Sequence, residues 1–184
     1  MSTMIDIYVF NKRRGWAAIL AQEGHIVDWR CGVVKHGSRW TSMLTAVIEA
    51  LNAIPSGHEV TLHMDYKCRW FFGALATMSK WKRDGWRLMD EHGTRPLPNA
   101  VLWRRLDKAM ERVSVTLAEI HGGRDYHVQQ LTRTLARETL AGKTVNEILS
   151  VDRFRKVTVN ALMVDKTSRP GYKTNAPIAV GATR

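Results

Sequence analysis

The apolar residues of this 184-residue chain first change their period near residue 40, and that switch constrains the fold more than any other feature. Before it, Ile5, Ile7 and Val9 alternate with other residues in a short β-prone run. The turn Asn11-Lys12-Arg13-Arg14-Gly15 leads into a second strand over residues 16–21, and Glu23-Gly24 turns into a third over 25–34. Three strands joined by two tight turns form an antiparallel meander. After the switch, Leu44, Val47, Ile48 and Leu51 fall at helical spacing within a helix predicted over 42–53, with Ser38 and Thr41 as candidate caps. Pro55-Ser56-Gly57 ends that helix. A buried strand follows over 59–64, with Asp65 at its carboxyl end, then a helix over 67–80 and a basic, Trp-rich segment over 81–87. Residues 93–98 read as a loop, 101–112 as a helix, 113–120 as a strand, 121–123 as a loop and 126–141 as the last helix. The order βββαβαβα predicts an α+β or α/β fold, a five-stranded mixed sheet flanked by helices. We place one domain at residues 1–142 and a basic, partly flexible extension at 143–184. Residues 151–184 hold seven basic and two acidic residues.

Composition narrows the function classes. Lys and Arg number 28 against 17 Asp and Glu, a net charge of +11, so a polyanion, nucleic acid first, is the expected partner. No run approaches the ~18 apolar residues of a bilayer span, so no membrane role is expected. The first residues lack the basic start, apolar run and cleavage site of a secretory signal. Cys31 and Cys68 are too few for a disulfide framework or zinc cluster. A cytoplasmic setting, or a virus or plasmid origin, is expected.

Particular words at particular places carry the argument further. Gly15-Trp16-Ala17-Ala18-Ile19-Leu20 resembles the second strand of type 1 ribonuclease H, and Glu59-Val60-Thr61-Leu62-His63-Met64-Asp65 its fourth. Trp81-Lys82-Arg83-Asp84-Gly85-Trp86 is similar to the basic handle of the bacterial enzymes, and it is the most specific of these words. Asn99, Leu102-Trp103-Arg104-Arg105-Leu106-Asp107 and Leu135-Ala136-Arg137 resemble the helices that follow. The resemblance spans about residues 5–141. It implies a ribonuclease H-like fold and a family activity, cleavage of the RNA strand of RNA–DNA hybrids by two divalent ions held on four carboxylates.

The resemblance also implies that this chain has lost most of that chemistry. At the family's four carboxylate positions stand Phe10, Met43, Asp65 and Arg133, so only Asp65 matches. The family's loop histidine falls at Gly123, with His121 and His127 close by. Asp6 lies about 13 Å back along its strand from position 10, and Glu49 and Glu138 point away around their helices, Glu138 by about 140°. No catalytic residue and no cofactor are therefore expected; Mg²⁺ or Mn²⁺ enters only if the site has been rebuilt around Asp65. Asp65 itself reads as a strand-end cap or as an ion-pair partner of Arg133.

The binding side is retained. Ser38, Asn99 and Arg137 match the family's phosphate-pocket positions, with Arg39 where an amide is expected; a guanidinium with small polar donors clamps phosphate well. Lys12, Arg13 and Arg14 occupy a turn shorter than the family loop that touches RNA 2′-hydroxyls. Lys80, Lys82, Arg83 and Arg87 line the handle. Trp81, Trp86 and Trp103 read as packing residues before stacking platforms. The leading expectation is a catalytically silent nucleic-acid-binding protein that recognises an RNA–DNA hybrid, a related duplex (dsRNA or dsDNA) or an R-loop through phosphate contacts. Two alternatives stand beside it: an active metal-dependent hydrolase centred on Asp65, and an interaction module docking onto a protein partner through the extension.

Overall fold

The computed structural model describes residues 4–91, 93–120, 123–144 and 147–148. Three strands, β1 (Met4–Lys12), β2 (Gly15–Gln22) and β3 (His25–Val33), form the meander. Then come α1 (Arg39–Asn52), β4 (Glu59–Asp65), a 3₁₀ turn (Tyr66–Cys68) and α2 (Arg69–Arg83). The rest are β5 (Arg87–Asp90), β6 (Gly93–Pro96), α3 (Ala100–Met110), β7 (Ser114–Ile120) and α4 (Gly123–Leu140). The main sheet has five strands in the order β3-β2-β1-β4-β7. β2 is antiparallel to both neighbours, whereas β4 runs parallel to β1 and β7. This is the mixed sheet with flanking helices that the order of periods implied.

Alternation distributes the core over two faces. Ile7, Val9, Ala18, Leu20, Leu62 and Met64 pack in one cluster with residues of α1, α2 and α3. Tyr8, Ala17, Ile19 and Ala21, one residue out of phase, pack with Val128, Leu131, Leu135 and Ala136 of α4. β2 is therefore buried on both faces from Gly15 to Ala21, which is why its sequence is continuously apolar or small. Each fully buried side chain such as Phe71, Leu44 or Leu62 contributes about 1.5–3 kcal/mol of burial. Trp103 and Trp86 lie in the first cluster with Trp81 packed against it, as the packing reading expected.

α1 starts with a capping box. Ser38 Oγ accepts from the Trp40 N–H at 3.2 Å, and the Ser38 N–H donates to Thr41 Oγ1 at 3.2 Å. The approach needs Gly37: its φ is +127°, and a Cβ there would collide with the Thr41 side chain.

Three local expectations are corrected. Residues 93–98, read as a loop, contain β6, which pairs with β5 in a hairpin outside the main sheet, Asp90 opposite Gly93. Its residues are exposed polar, Gly and Pro, so no apolar alternation announced it. The handle is not a separate segment after a helix ending at 80: α2 continues through Trp81, Lys82 and Arg83, and the chain turns at Gly85 and Trp86, both at positive φ. The last helix begins at Gly123, not Tyr126; Asp125 in its first turn is held by the Tyr8 hydroxyl at 2.6 Å, a long-range tie that local pattern does not show.

Of the extension, Lys143–Thr144 and Glu147–Ile148 fall among the described residues. Thr144 and Glu147 bond reciprocally, and Ile148 is buried in the α4-side cluster. The expectations for His121 and for residues 149–184 lie outside the described residues.

Candidate nucleic-acid interface

Three of the four positions at which the resemblance calls for carboxylates meet at the carboxyl ends of β1 and β4. Arg133 of α4 forms an ion pair with Asp65 through Nη2 and Oδ2, and its guanidinium carbon lies 5.4 Å from the Phe10 ring centroid. Asp65 Oδ1 accepts the Lys67 N–H at 3.0 Å, capping the 3₁₀ turn. Asp65 thus acts both as a strand-end cap and as the partner of Arg133. Burial, with the nearby Arg137 charge, lowers the Arg133 pKa below the ordinary arginine value. Met43 is fully buried in the α1-side cluster.

The nearby acids are engaged elsewhere. Asp6 Oδ1 bonds His63 Nε2 at 2.8 Å, Glu49 lies 3.5 Å from Arg105 and Glu138 pairs with Lys143 at 2.5 Å. A pair of hard divalent ions needs several anionic oxygens turned to one point. Among the described residues no group of three or more His, Cys, Asp or Glu is arranged to hold a metal ion, and both oxygens of Asp65 already have donors. The residues present do not fit the family's two-metal centre.

Sequence reasoning missed a polar network on the α4 face. His63 pairs with Asp6, stacks on Tyr8 with ring centroids 4.6 Å apart, and Tyr8 donates to Asp125. Strand parity puts Asp6 and Tyr8 on one face of β1, but their meeting with His63 rests on the parallel register that sets Tyr8 opposite His63, which no local pattern carries. His127 is exposed at the start of α4.

The basic residues divide into those the structure gathers and those it does not. Thr41 Oγ1 donates to Asn99 Oδ1 at 3.2 Å, so Ser38, Thr41 and Asn99 form one chain of hydrogen bonds at the amino ends of α1 and α3. Asn99 has φ +59°, a left-handed conformation that Asn tolerates better than most residues. Exposed Arg39 lies over the Trp70 ring, 4.6 Å from its centroid. The turn bearing Lys12, Arg13 and Arg14 is tied to this region: Ser42 Oγ donates to the Arg13 carbonyl at 2.8 Å and Arg14 Nη1 to the Lys35 carbonyl at 2.9 Å. Asn11 completes the tie through the Arg39 carbonyl and Ser42 Oγ, both at 2.8 Å.

Arg137 does not join that cluster. It stands exposed on α4, which packs on the opposite face of the sheet from α1 and α3, one turn beyond Arg133. Lys82 is also set apart. Its ammonium is 2.8 Å from both Asp107 and Glu111 of α3, which raises its pKa, so it ties α2 to α3. Lys80, Arg83 and Arg87 are exposed and make no ion pair among the described residues. No described helix is long and apolar enough to cross a membrane.

Known proteins agree with this architecture. Ribonuclease H of Rhizobium johnstonii is 32% identical over 130 residues, covering 67% of this chain and 79% of that protein. Ribonuclease H of Nitrobacter hamburgensis is 34% identical over 129 residues, covering 69% and 81%. Among solved structures, LC9-RNase H1, described as a type 1 RNase H with the type 2 active-site motif, superposes with a TM-score of 0.58 at 16% identity over 86% of both chains. The foamy viral protease–reverse transcriptase in complex with RNA/DNA hybrid gives 0.52 at 14% identity, covering 75% of this chain and 19% of that one. These two likenesses carry the fold alone. The sequence profile of the RNase H family matches residues 8–138, and with the two curated relatives it shows that this chain belongs to the ribonuclease H family.

Proposed function

We propose that this family member binds an RNA–DNA hybrid or related duplex, such as the hybrid of an R-loop, without cleaving it. The observation that carries the reading is the closure of Asp65: one oxygen on Arg133, the other on the Lys67 N–H, beside the Phe10 ring. With a donor on each oxygen, a guanidinium fixed against it and no group of three or more His, Cys, Asp or Glu around it among the described residues, Asp65 does not make a shared site for two cations. The grip is supported by the hydrogen-bonded Ser38–Thr41–Asn99 cluster, by Arg39 and by the basic turn at Lys12, Arg13 and Arg14 beside it. Recognition of this kind follows backbone and groove shape before base sequence.

The names of the curated relatives favour a second reading, an active ribonuclease H with a site rebuilt around Asp65. One experiment separates the two. Labelled RNA–DNA hybrid, dsRNA and dsDNA are mixed with the full chain in Mg²⁺, Mn²⁺ or EDTA, and binding and cleavage are followed together. Salt-sensitive hybrid binding in EDTA, with no product in either metal, is the expected result. Metal-dependent cuts that vanish in Asp65→Asn would replace our reading with the second.

A further inference from the structure

The carboxyl ends of β1 and β4 carry a fixed cation where a two-metal centre would need only anions. We infer that Arg133 is itself a phosphodiester-binding residue, supplying from within the chain a positive charge for a backbone phosphate laid across the end of the sheet. The inference rests on the proposed duplex binding and names one phosphate site within it. Carboxyl ends of parallel strands are where crevices open in such sheets, and β1 and β4 are a parallel pair.

The guanidinium is held from two sides, by Asp65 and by the Phe10 ring, so little side-chain freedom remains to be lost on binding. It has five N–H donors in a rigid fork. Asp65 takes one Nη2 donor; Nε is buried without a hydrogen-bond partner, and the side chain as a whole keeps 21% exposure. Asp65 accepts elsewhere with its second oxygen, so it does not enclose the fork. Exposed Arg137 stands one turn further along α4. Asp65, Arg133 and Arg137 together leave one net positive charge at a place where the family's acids would repel a phosphate. Phe10 is followed in β1 by Asn11, which holds the Arg39 carbonyl and Ser42 Oγ. The guanidinium, the basic turn and the start of α1 therefore lie toward one end of the sheet, Arg133 on its α4 face and the turn tied to α1 on the other.

A plain counterion role for Arg133 makes a different prediction. Fluorescein-labelled RNA–DNA hybrid is titrated in EDTA across a salt series with wild type, Asp65→Asn and the double variant Asp65→Asn/Arg133→Met, each shown to be folded by urea denaturation. The Asn background removes the buried carboxylate, so loss of Arg133 strands no charge. The double variant is expected to bind about tenfold more weakly than Asp65→Asn. The slope of log K against log salt should also be shallower by about 0.9, the value of one neutralised phosphate. Asp65→Asn alone is expected to bind at least as tightly as wild type. Equal affinity and slope in the two variants, with hybrid binding intact, would overturn the inference and leave Arg133 a counterion only. A wild-type chain that binds no duplex would overturn the proposed function and this phosphate site together.

Discussion

Arg133→Met is the perturbation that tests the closed site most directly through stability. The Asp65 and Arg133 side chains are 9% and 21% exposed, so their interaction is only weakly screened. Removing one partner of a buried ion pair costs about 3–5 kcal/mol, because the other charge is stranded. Here Asp65 keeps the Lys67 N–H and Arg133 is not wholly enclosed, which places the expected cost near the lower end, about 3 kcal/mol. Loss of the cation over the Phe10 ring adds about 0.5–1 kcal/mol. With a urea m-value of about 2 kcal/mol/M, the midpoint falls by roughly 1.5–2 M at unchanged m. Asp65→Asn/Arg133→Met is expected to return to within about 1 kcal/mol of wild type, since uncharged replacements for a buried pair are often neutral. The assay is urea unfolding followed by fluorescence of the buried Trp86 and Trp103. A single variant as stable as wild type, or a double variant no better than the single, would refute the argument that Arg133 holds this carboxylate.

Three further outcomes follow from the same geometry. Gly15→Ala places a Cβ 2.6 Å from the Ala136 carbonyl oxygen and 2.8 Å from Leu140 Cβ; it should destabilise by about 1–3 kcal/mol in urea unfolding by pushing α4 off the β1–β2 turn. Lys82→Gln should leave the salt slope of hybrid binding unchanged, because this ammonium already serves Asp107 and Glu111, whereas Lys80→Gln or Arg83→Gln should lower it by about 0.9 for each phosphate no longer neutralised. Burial pushes the Cys68 thiol pKa up, so in iodoacetamide labelling near pH 8 the half-buried Cys31 should react first and Cys68 only on unfolding. Since the folded thiol keeps its proton after the unfolded one ionises, that group lowers stability as pH rises through the ordinary thiol range.

The sequence by itself determined the order of the main-sheet strands and the helices, and which residues of β1 share a face. The alternation of Ile5, Ile7 and Val9 and the helical spacing in 42–53 are local properties, and the first places Ile7 and Val9 on one face and Tyr8 on the other without reference to distant chain. It also told which residue types stand at 10, 43, 65 and 133. Only the tertiary structure decided what those residues do. Whether Arg133 reaches Asp65, whether Lys82 faces nucleic acid or α3, and on which side of the sheet Arg137 stands all depend on how helices settle on the sheet. The β5–β6 hairpin escaped for a related reason: exposed strands bury no alternating face, so no pattern marks them. Side-chain pairing across more than sixty residues, as between Asp65 and Arg133, is fixed by packing that no local window contains.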